Sequence, residues 1–390
     1  MAAFRTTTRA AGFSDRLLVA LASGLTCLAG LQLWSLLRLE PFGMDFLPLW
    51  AAGRMVWTEP GKVYDFAAVT AAQAWLLPPH FAWLRPYAYP PATLLLMAPL
   101  GRLPFWAAAG VWSALSLGVF LYATVRLIRR NNLLAVLLTA ALPAVVIAAT
   151  AGQTVVLTSG LVVLAVLELD RRPRFAGCLL ALAAIAKPQA VIMAPVALLA
   201  CGGLEALASA GVVAIAAAAA SAVFFGPDRW SEWLASLPAF QRVIEGVPAL
   251  EGAVITPFWA ARELGLHGPS STLAEAAFAL AGAGLVWTLF RNPAKPAHRI
   301  AALALGSLVA APYAMCYDAT AIAPAATALG LAALERGALA TLLLALAAAF
   351  EATAPYLGLP ALLVFAGLVI ADWRSAAGAG ARSTAVAALP

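Results

Sequence analysis

Between Phe42 and Pro91, a chain that is otherwise nearly all hydrocarbon-soluble carries Asp45. Tryptophans, tyrosines and prolines follow it, up to Tyr-Ala-Tyr-Pro-Pro at 87–91. A carboxylate where an apolar segment leaves the membrane can do two things. It can cap the helix expected over 46–57 by accepting from the first free N–H groups. It can also act as a general base, since partial burial lifts a carboxylate's pKa toward neutrality. The two roles are compatible, and the spacing alone does not separate them.

Lys187, in Lys187-Pro188-Gln189, lies between two apolar runs of about 13 residues, and Pro188 breaks any continuous helix there. A lysine in that place either snorkels to the interface or is an intramembrane cation suited to a phosphate. Gln153, after Gly152 at a helix start, can bond a sugar hydroxyl or cap its own turn. A third outward polar knot runs Pro312-Tyr313-Ala-Met-Cys-Tyr317-Asp318, with Asp318 also placed to cap the next helix. Asp65, before Phe66-Ala-Ala-Val-Thr, reads as an N-cap. Arg54 falls about 180° around a helix from Asp45 at 100° per residue, so it reads as a solvated charge and not as the partner of Asp45. Trp75, Trp83, Tyr87 and Tyr89 resemble an interfacial aromatic belt.

These groups need a scaffold, and composition defines it. Of 390 residues, 63% are apolar and only 11% charged, with a mean hydropathy of +0.91. Soluble domains carry about 25% charged residues, so the expected fold is an all-α polytopic membrane protein, 1–390 as one integral-membrane domain. Apolar runs suggest about twelve crossings: 17–37, 104–128, 133–150, 153–169, 175–187, 188–201, 204–225, 271–290, 298–312, 318–334, 338–354 and 357–371. The piece 92–101 is too short to span, about 15 Å at 1.5 Å per residue, and is expected to re-enter or lie buried in protein. Two outward segments are long enough to carry work. One is 38–91, with helical patches at 46–57 and 66–77; the other is 226–270, with a Trp-rich amphipathic patch at 230–240.

Arg5, Arg9 and Arg16 precede the first apolar run, Leu17–Leu37, which reads as an uncleaved crossing because it is too long for a signal peptide core. Arg126, Arg129 and Arg130, Arg171, Arg172 and Arg174, Arg291, Lys295 and Arg299, then Arg336, Arg374 and Arg382 cluster between alternate runs. Fifteen of the 24 Lys and Arg residues thus fall on one side. The positive-inside bias predicts both termini in the cytoplasm and the loops 38–91 and 226–270 outside. The net charge of +6 is distributed by membrane side, so no nucleic-acid partner is expected. Four single cysteines and three scattered histidines (His80, His267, His298) indicate neither a disulfide framework nor a metal site. No phosphate-binding glycine loop is present, which points away from a cytosolic nucleotide donor. No cofactor is expected.

The order Asp45-Phe46-x3-Trp50-Ala-Ala-Gly53-Arg54, Val63-Tyr64-Asp65, Tyr89-Pro90-Pro91-x6-Ala98-Pro99-Leu100-x3-Pro104-Phe105, Gly152-Gln153, Ala176-Gly177-x9-Lys187-Pro188 and Pro312-Tyr313-x4-Asp318 resembles glycosyltransferase family 87. These GT-C-fold enzymes include the mycobacterial phosphatidylinositol mannosyltransferases. The resemblance implies a bundle of about twelve helices in a bacterial cytoplasmic membrane, with the active site facing outward. It implies a hexose, mannose foremost, passing with inversion from a polyprenyl-phosphate sugar to a lipid or glycan acceptor. The family's first-loop base falls on Asp45, and its later outward polar groups fall on Tyr317 and Asp318. On that reading Lys187, with Arg85 and Arg102 behind it, contacts the donor phosphate, and Tyr89 and Gln153 contact substrate. The chain departs from the family pattern in lacking a His near 313–318 and in having Thr256-Pro257-Phe258 where an Asn/Ser-rich stretch is common. A transporter or lipid flippase would also use broken helices and an intramembrane lysine. Against it, the two halves show no matching interruptions. A non-catalytic scaffold would tolerate loss of Asp45, Lys187 and Asp318 together.

Overall fold

A computed structural model of the protein describes residues 2–39, 41–77, 85–128, 132–246 and 252–387. Trp83, His80, Arg129 and Arg130 lie outside the described residues. The chain opens with a long helix α1 (Ala2–Leu39), then two helices of the first loop, α2 (Leu47–Thr58) and α3 (Phe66–Gln73), and a short α4 (Leu94–Leu100). A long α5 (Phe105–Leu127) precedes α6 (Asn132–Ala140), α7 (Pro143–Ala151), α8 (Thr154–Glu168), α9 (Pro173–Ala186) and α10 (Ala194–Ala200). Next come α11 (Leu204–Phe225), α12 (Asp228–Glu245), α13 (Pro257–Glu263), α14 (Pro269–Arg291) and α15 (Pro296–Ala310). The last helices are α16 (Ala323–Glu335), α17 (Leu339–Glu351) and α18 (Gly358–Ala387). Among the described residues the extended structure amounts to one isolated antiparallel bridge, Val254 to Met315.

The protein is an all-α, membrane-integral chain. Among the described residues six helical stretches are long and apolar enough to cross a bilayer: 16–38, 105–127, 204–225, 269–291, 316–335 and 358–376. The pair 133–140 and 143–151, bent by 74° at the Leu142-Pro143 break, makes a seventh if counted as one span. The other segments expected to cross are shorter apolar helices. That over 188–201 is divided into a 3-10 turn, Pro188–Val191, and the seven-residue α10, because Pro188 and Pro195 interrupt it. The lipid-facing character of the spans is plain in their surfaces: Val212, Ile215, Val223 and Phe224 on α11 and Leu273 and Leu280 on α14 are all exposed.

The short helix at 92–101 is buried in protein, as its length requires. Leu94, Met97 and Ala98 are covered, and α4 lies directly on α2. Two glycines make that approach possible: a Cβ on Gly53 would overlap the backbone of Met97, and one on Gly101 would overlap the backbone of Gly53. Trp57 on α2 donates to Ala98 O (2.8 Å), and Trp50 donates to Leu103 O (3.0 Å), closing the contact at both edges. The bundle has two distinct ends. At one, Arg126 pairs with Glu168, Arg299 with Asp170, and Asp372 with both Arg336 and His298. At the other end lie the start of α2, the α7–α8 junction, the end of α9 and the segment after α15.

A polar cluster at the lip of the bundle

The site begins with how α7 ends. Gly152 is left-handed (φ +73°), and Gln153 N donates back to Ala148 O (2.9 Å), the glycine-terminated helix stop that leaves few last-turn carbonyls unpaired. The remaining carbonyls are taken by the turn that follows α1. Gly43 N donates to Thr150 O, and Asp45 N and Phe46 N both donate to Ala151 O, at 2.9–3.1 Å. The tight turn brings Phe46 against Gly152, where an added Cβ would sit 2.7 Å from Phe46 Cβ. Trp112 of α5 donates to Gly152 O (2.9 Å) and stacks on Phe46 with centroids 5.6 Å apart. Asp45 and Gln153, 108 residues apart in sequence, are thereby fixed side by side, and Gln153 Nε2 donates to Asp45 Oδ2 at 2.7 Å.

The capping role for Asp45 is not the one realised. The residue before α2 is Phe46, and no side chain caps that helix; the Asp45 carboxylate goes to Gln153 instead. Asp65, by contrast, is the N-cap its spacing predicted, accepting from Ala67 N (3.0 Å) and Ala68 N (3.1 Å). Asp45 remains half-buried, and its pKa is raised chiefly by desolvation. The Gln153 bond and the positive fields of Arg85 and Lys187 oppose that rise, while the Asp318 carboxylate adds to it.

Lys187 does not snorkel. It is 4% exposed and forms a salt bridge with Asp318, itself 3% exposed. The other carboxylate oxygen of Asp318 accepts from Met315 N (3.0 Å), so Asp318 both braces its own turn and holds the lysine. The ammonium also lies over the Tyr317 ring, 5.4 Å from its centroid. The break at Lys187 is stitched from a neighbouring segment, since Thr93 Oγ1 donates to Ile185 O at 2.6 Å, near the end of α9. A narrow void of about 20 Å³ beside the pair is lined by Lys187, Asp318, Gln189 and Ser307 among others.

Tyr89 Oη lies 3.4 Å from Thr154 Oγ1 at the start of α8, and Tyr89 O accepts from Tyr64 Oη (2.9 Å). Burial raises the Tyr89 phenol, which faces Lys187, Asp318 and Asp45. Arg85 is buried with its guanidinium 3.5 Å from Met44 O, next to Asp45, and its backbone is held by Thr70 and Gln73 of α3. The structure therefore gathers Asp45, Arg85, Tyr89, Gln153, Lys187, Tyr317 and Asp318 at one end of the bundle.

Arg102 is not among them. It is exposed and stacks on Trp57 at 4.0 Å, near the far end of α2, about 15 Å along the helix axis from the Asp45 turn at 1.5 Å per residue. Arg54 is exposed, as its helical angle required. Tyr87 is no belt residue: it is fully buried between Tyr64 and Tyr89, with centroids 5.6 and 5.8 Å away. Trp75 is 69% exposed, the surroundings a belt needs.

The amphipathic patch at 230–240 is part of α12, and α12 runs over this end. Arg229 donates to Pro60 O, Trp233 Nε1 to Ala88 O (3.1 Å), and Phe240 meets Tyr313 edge-on at 5.8 Å. The stretch after it is sewn to the Asp318 turn by Cys316 N to Ala253 O (2.7 Å) and Ile255 N to Ala314 O (2.9 Å). Trp233, Phe240 and Thr154 were not distinguishable in the sequence. The Trp-rich pattern of the patch was the one signal for the first two, and Thr154 gave none.

Fold and site together define a membrane-integral protein with a carboxylate, an amide, cations and phenols converging at one lip of an apolar bundle. The sequence profile of glycosyltransferase family 87 matches residues 87–316, more than half of the chain, and the chain belongs to that family. Tyr89, Arg102, Gln153 and Lys187 lie inside the matched stretch; Asp45 and Arg85 precede it, and Tyr317 and Asp318 follow it directly. No curated protein and no solved structure matches the chain. Membership makes the protein a membrane glycosyltransferase, with a sugar donor and an acceptor.

Proposed function

We propose that the protein transfers a hexose, mannose foremost, from a polyprenyl-phosphate carrier to a lipid or glycan hydroxyl. The active site on this reading faces the outside of the cytoplasmic membrane, and both termini face the cytoplasm. The observation that carries it is the Asp45 carboxylate, tethered by Gln153, raised toward neutrality and facing Lys187, at the lip of a lipid-embedded body. A polyprenyl donor, itself dissolved in the bilayer, suits a site at the lip of a lipid-embedded body. The shorter helices would complete a GT-C-type bundle of about twelve, pairing at their breaks. The loops 38–91 and 226–270 would form its outward face.

In the proposed reaction Asp45 takes the proton of the acceptor hydroxyl as that oxygen bonds the anomeric carbon from the side opposite the phosphate. The bond from that carbon to the phosphate oxygen breaks, and polyprenyl phosphate leaves with the electron pair. Lys187 is the principal phosphate contact and Arg85 the second; cations aimed at the leaving oxygens stabilise charge that grows in the transition state. Asp318 holds Lys187 in position, and Tyr89, Gln153 and Tyr317 contact substrate. Arg102 has no role in this scheme because of its place beside Trp57.

The test uses purified protein in nanodiscs with synthetic polyprenyl-phosphate mannose and a lipid extract as acceptor, products being read by mass spectrometry. General-base help is worth about 10²–10⁴-fold, so Asp45→Asn should lower turnover by that factor while the protein stays folded. Full activity in Asp45→Asn removes Asp45 from the mechanism. Vectorial movement of the donor lipid with no covalent product would identify a flippase instead.

A further inference from the structure

Most buried hydroxyls inside this bundle follow one rule. Thr124, Thr139, Thr150, Thr158, Ser221 and Thr327 each donate to a carbonyl three or four residues back on their own helix. Ser113 and Ser116 on α5 do not. Both Oγ atoms are buried, neither has a hydrogen-bond partner, and Ser116 is 3% exposed. A hydroxyl left unpaired at membrane depth costs free energy that water cannot relieve by simple exposure.

Ser159, Thr256 and Thr320 share that unpaired state, but Ser113 and Ser116 differ in what they face. They line a void of about 10 Å³ between α5 and the α7–α8 junction, and the same void is lined by Gly152 and Gln153. That is about the room one water occupies, and a buried water needs two to four polar partners. Among the side chains that line the void, Ser113, Ser116 and Gln153 are the ones able to supply them. Gln153 gives one N–H to Asp45 and keeps a second N–H and a carbonyl oxygen for other partners.

We infer that the void holds one ordered water, bound by Ser113, Ser116 and Gln153, which fixes the Gln153 amide with its N–H on Asp45. Ser113 and Ser116 are then positioning residues: they touch no reacting atom and act through the water and Gln153 on the carboxylate. Without the water, the amide is free to rotate and to present its oxygen to Asp45, which repels the ionised form. The catalytic consequence rests on the reading of Asp45 as base; the water site itself does not.

Asp45 also faces Arg85, Lys187 and Asp318, and the Tyr89, Tyr313 and Tyr317 phenols and the Cys316 thiol interact with it. None of these changes when the two serines do, so a shift in Asp45 titration reports the Gln153 contact. The experiment is infrared titration of the protonated carboxyl band of the full-length protein in nanodiscs, the band being assigned by its loss in Asp45→Asn. Ser113→Ala/Ser116→Ala should raise the Asp45 protonation constant by about threefold, half a pH unit, and Gln153→Ala by more, on the scale of a hydrogen bond to a charged group. Ser113→Cys/Ser116→Cys, whose larger thiols bond poorly and fill the void, should match the alanine pair, so that a shift common to both does not come from an emptied cavity.

A midpoint unmoved in the folded serine variants overturns the inference. So does a high-resolution map that shows ordered waters elsewhere in the bundle and none between Ser116 and Gln153. If the midpoint moves as expected and no polyprenyl-phosphate sugar is ever turned over, the water site stands and the proposed reaction falls.

Discussion

Breaking the Lys187–Asp318 pair should be costly on either side, and less costly on both sides together. Both side chains are about 5% exposed or less, so each loses most of its hydration. Removing one partner of such a pair leaves an uncompensated buried charge, about 3–5 kcal/mol. In Lys187→Met the buried Asp318 carboxylate loses its cation. Asp318 then keeps Met315 N as donor but still faces the like charge of Asp45. In Asp318→Asn the ammonium keeps the Tyr317 ring, worth roughly 0.5–2 kcal/mol, and the attraction of Asp45. Lys187→Met should therefore be the worse single change, by about 1 kcal/mol. The double variant should cost at least ~2 kcal/mol less than the two singles summed, within the range of measured coupling energies for neighbours. Unfolding of the purified protein by SDS titration in mixed micelles, followed by tryptophan fluorescence, measures all four corners of the cycle. Additive costs, or single costs below about 1 kcal/mol, would show that the two charges are separately solvated and refute the buried pair.

Further consequences are open to measurement. Because folding raises the Asp45 pKa, the ionised carboxylate opposes folding at neutral pH, and that opposition fades as pH falls through the raised value; Asp45→Asn should thus be more stable than the parent at pH 7 and equal to it in acid. The same shift places the acid limb of the transfer rate above the ordinary carboxylate range, so activity lost at pH 4 but fully retained at pH 5 and unchanged above would speak against a raised base. Gly53→Ala should separate α4 from α2, with loss of folded yield in membranes on fluorescence-detected size exclusion, since its Cβ overlaps backbone that cannot yield cheaply. Arg85→Ala should weaken donor saturation more than kcat, measured as a rise in donor KM, if Arg85 serves the phosphate.

How much of this was legible in the chain depends on distance along it. Asp65 could be read as a cap because donor and acceptor are two and three residues apart. The placement of 92–101 followed from its length, and α12 from its Trp-rich pattern. The break at Pro188 was legible too, but not what Lys187 does there, because its partner is 131 residues away. Asp45 failed as a cap for the same reason: its partner Gln153 lies beyond any local rule, and the turn around it spends its N–H groups on the end of α7. Tyr87 looked like a belt residue because aromatic spacing carries no information about which ring the neighbouring loops will cover. The crossing count was less legible: six or seven of the described stretches are long and apolar enough to span, and the other expected crossings are shorter helices whose ends composition does not mark.

The left-handed turn at Gly152 makes the proposed base hostage to a residue that does no chemistry. One methyl group at that position would push on Phe46 and tilt the loop that carries the carboxylate, so transfer could fail with every reactive side chain still in place. Selection on catalysis would then be felt at a glycine and a phenylalanine, and a catalogue of polar residues would miss both.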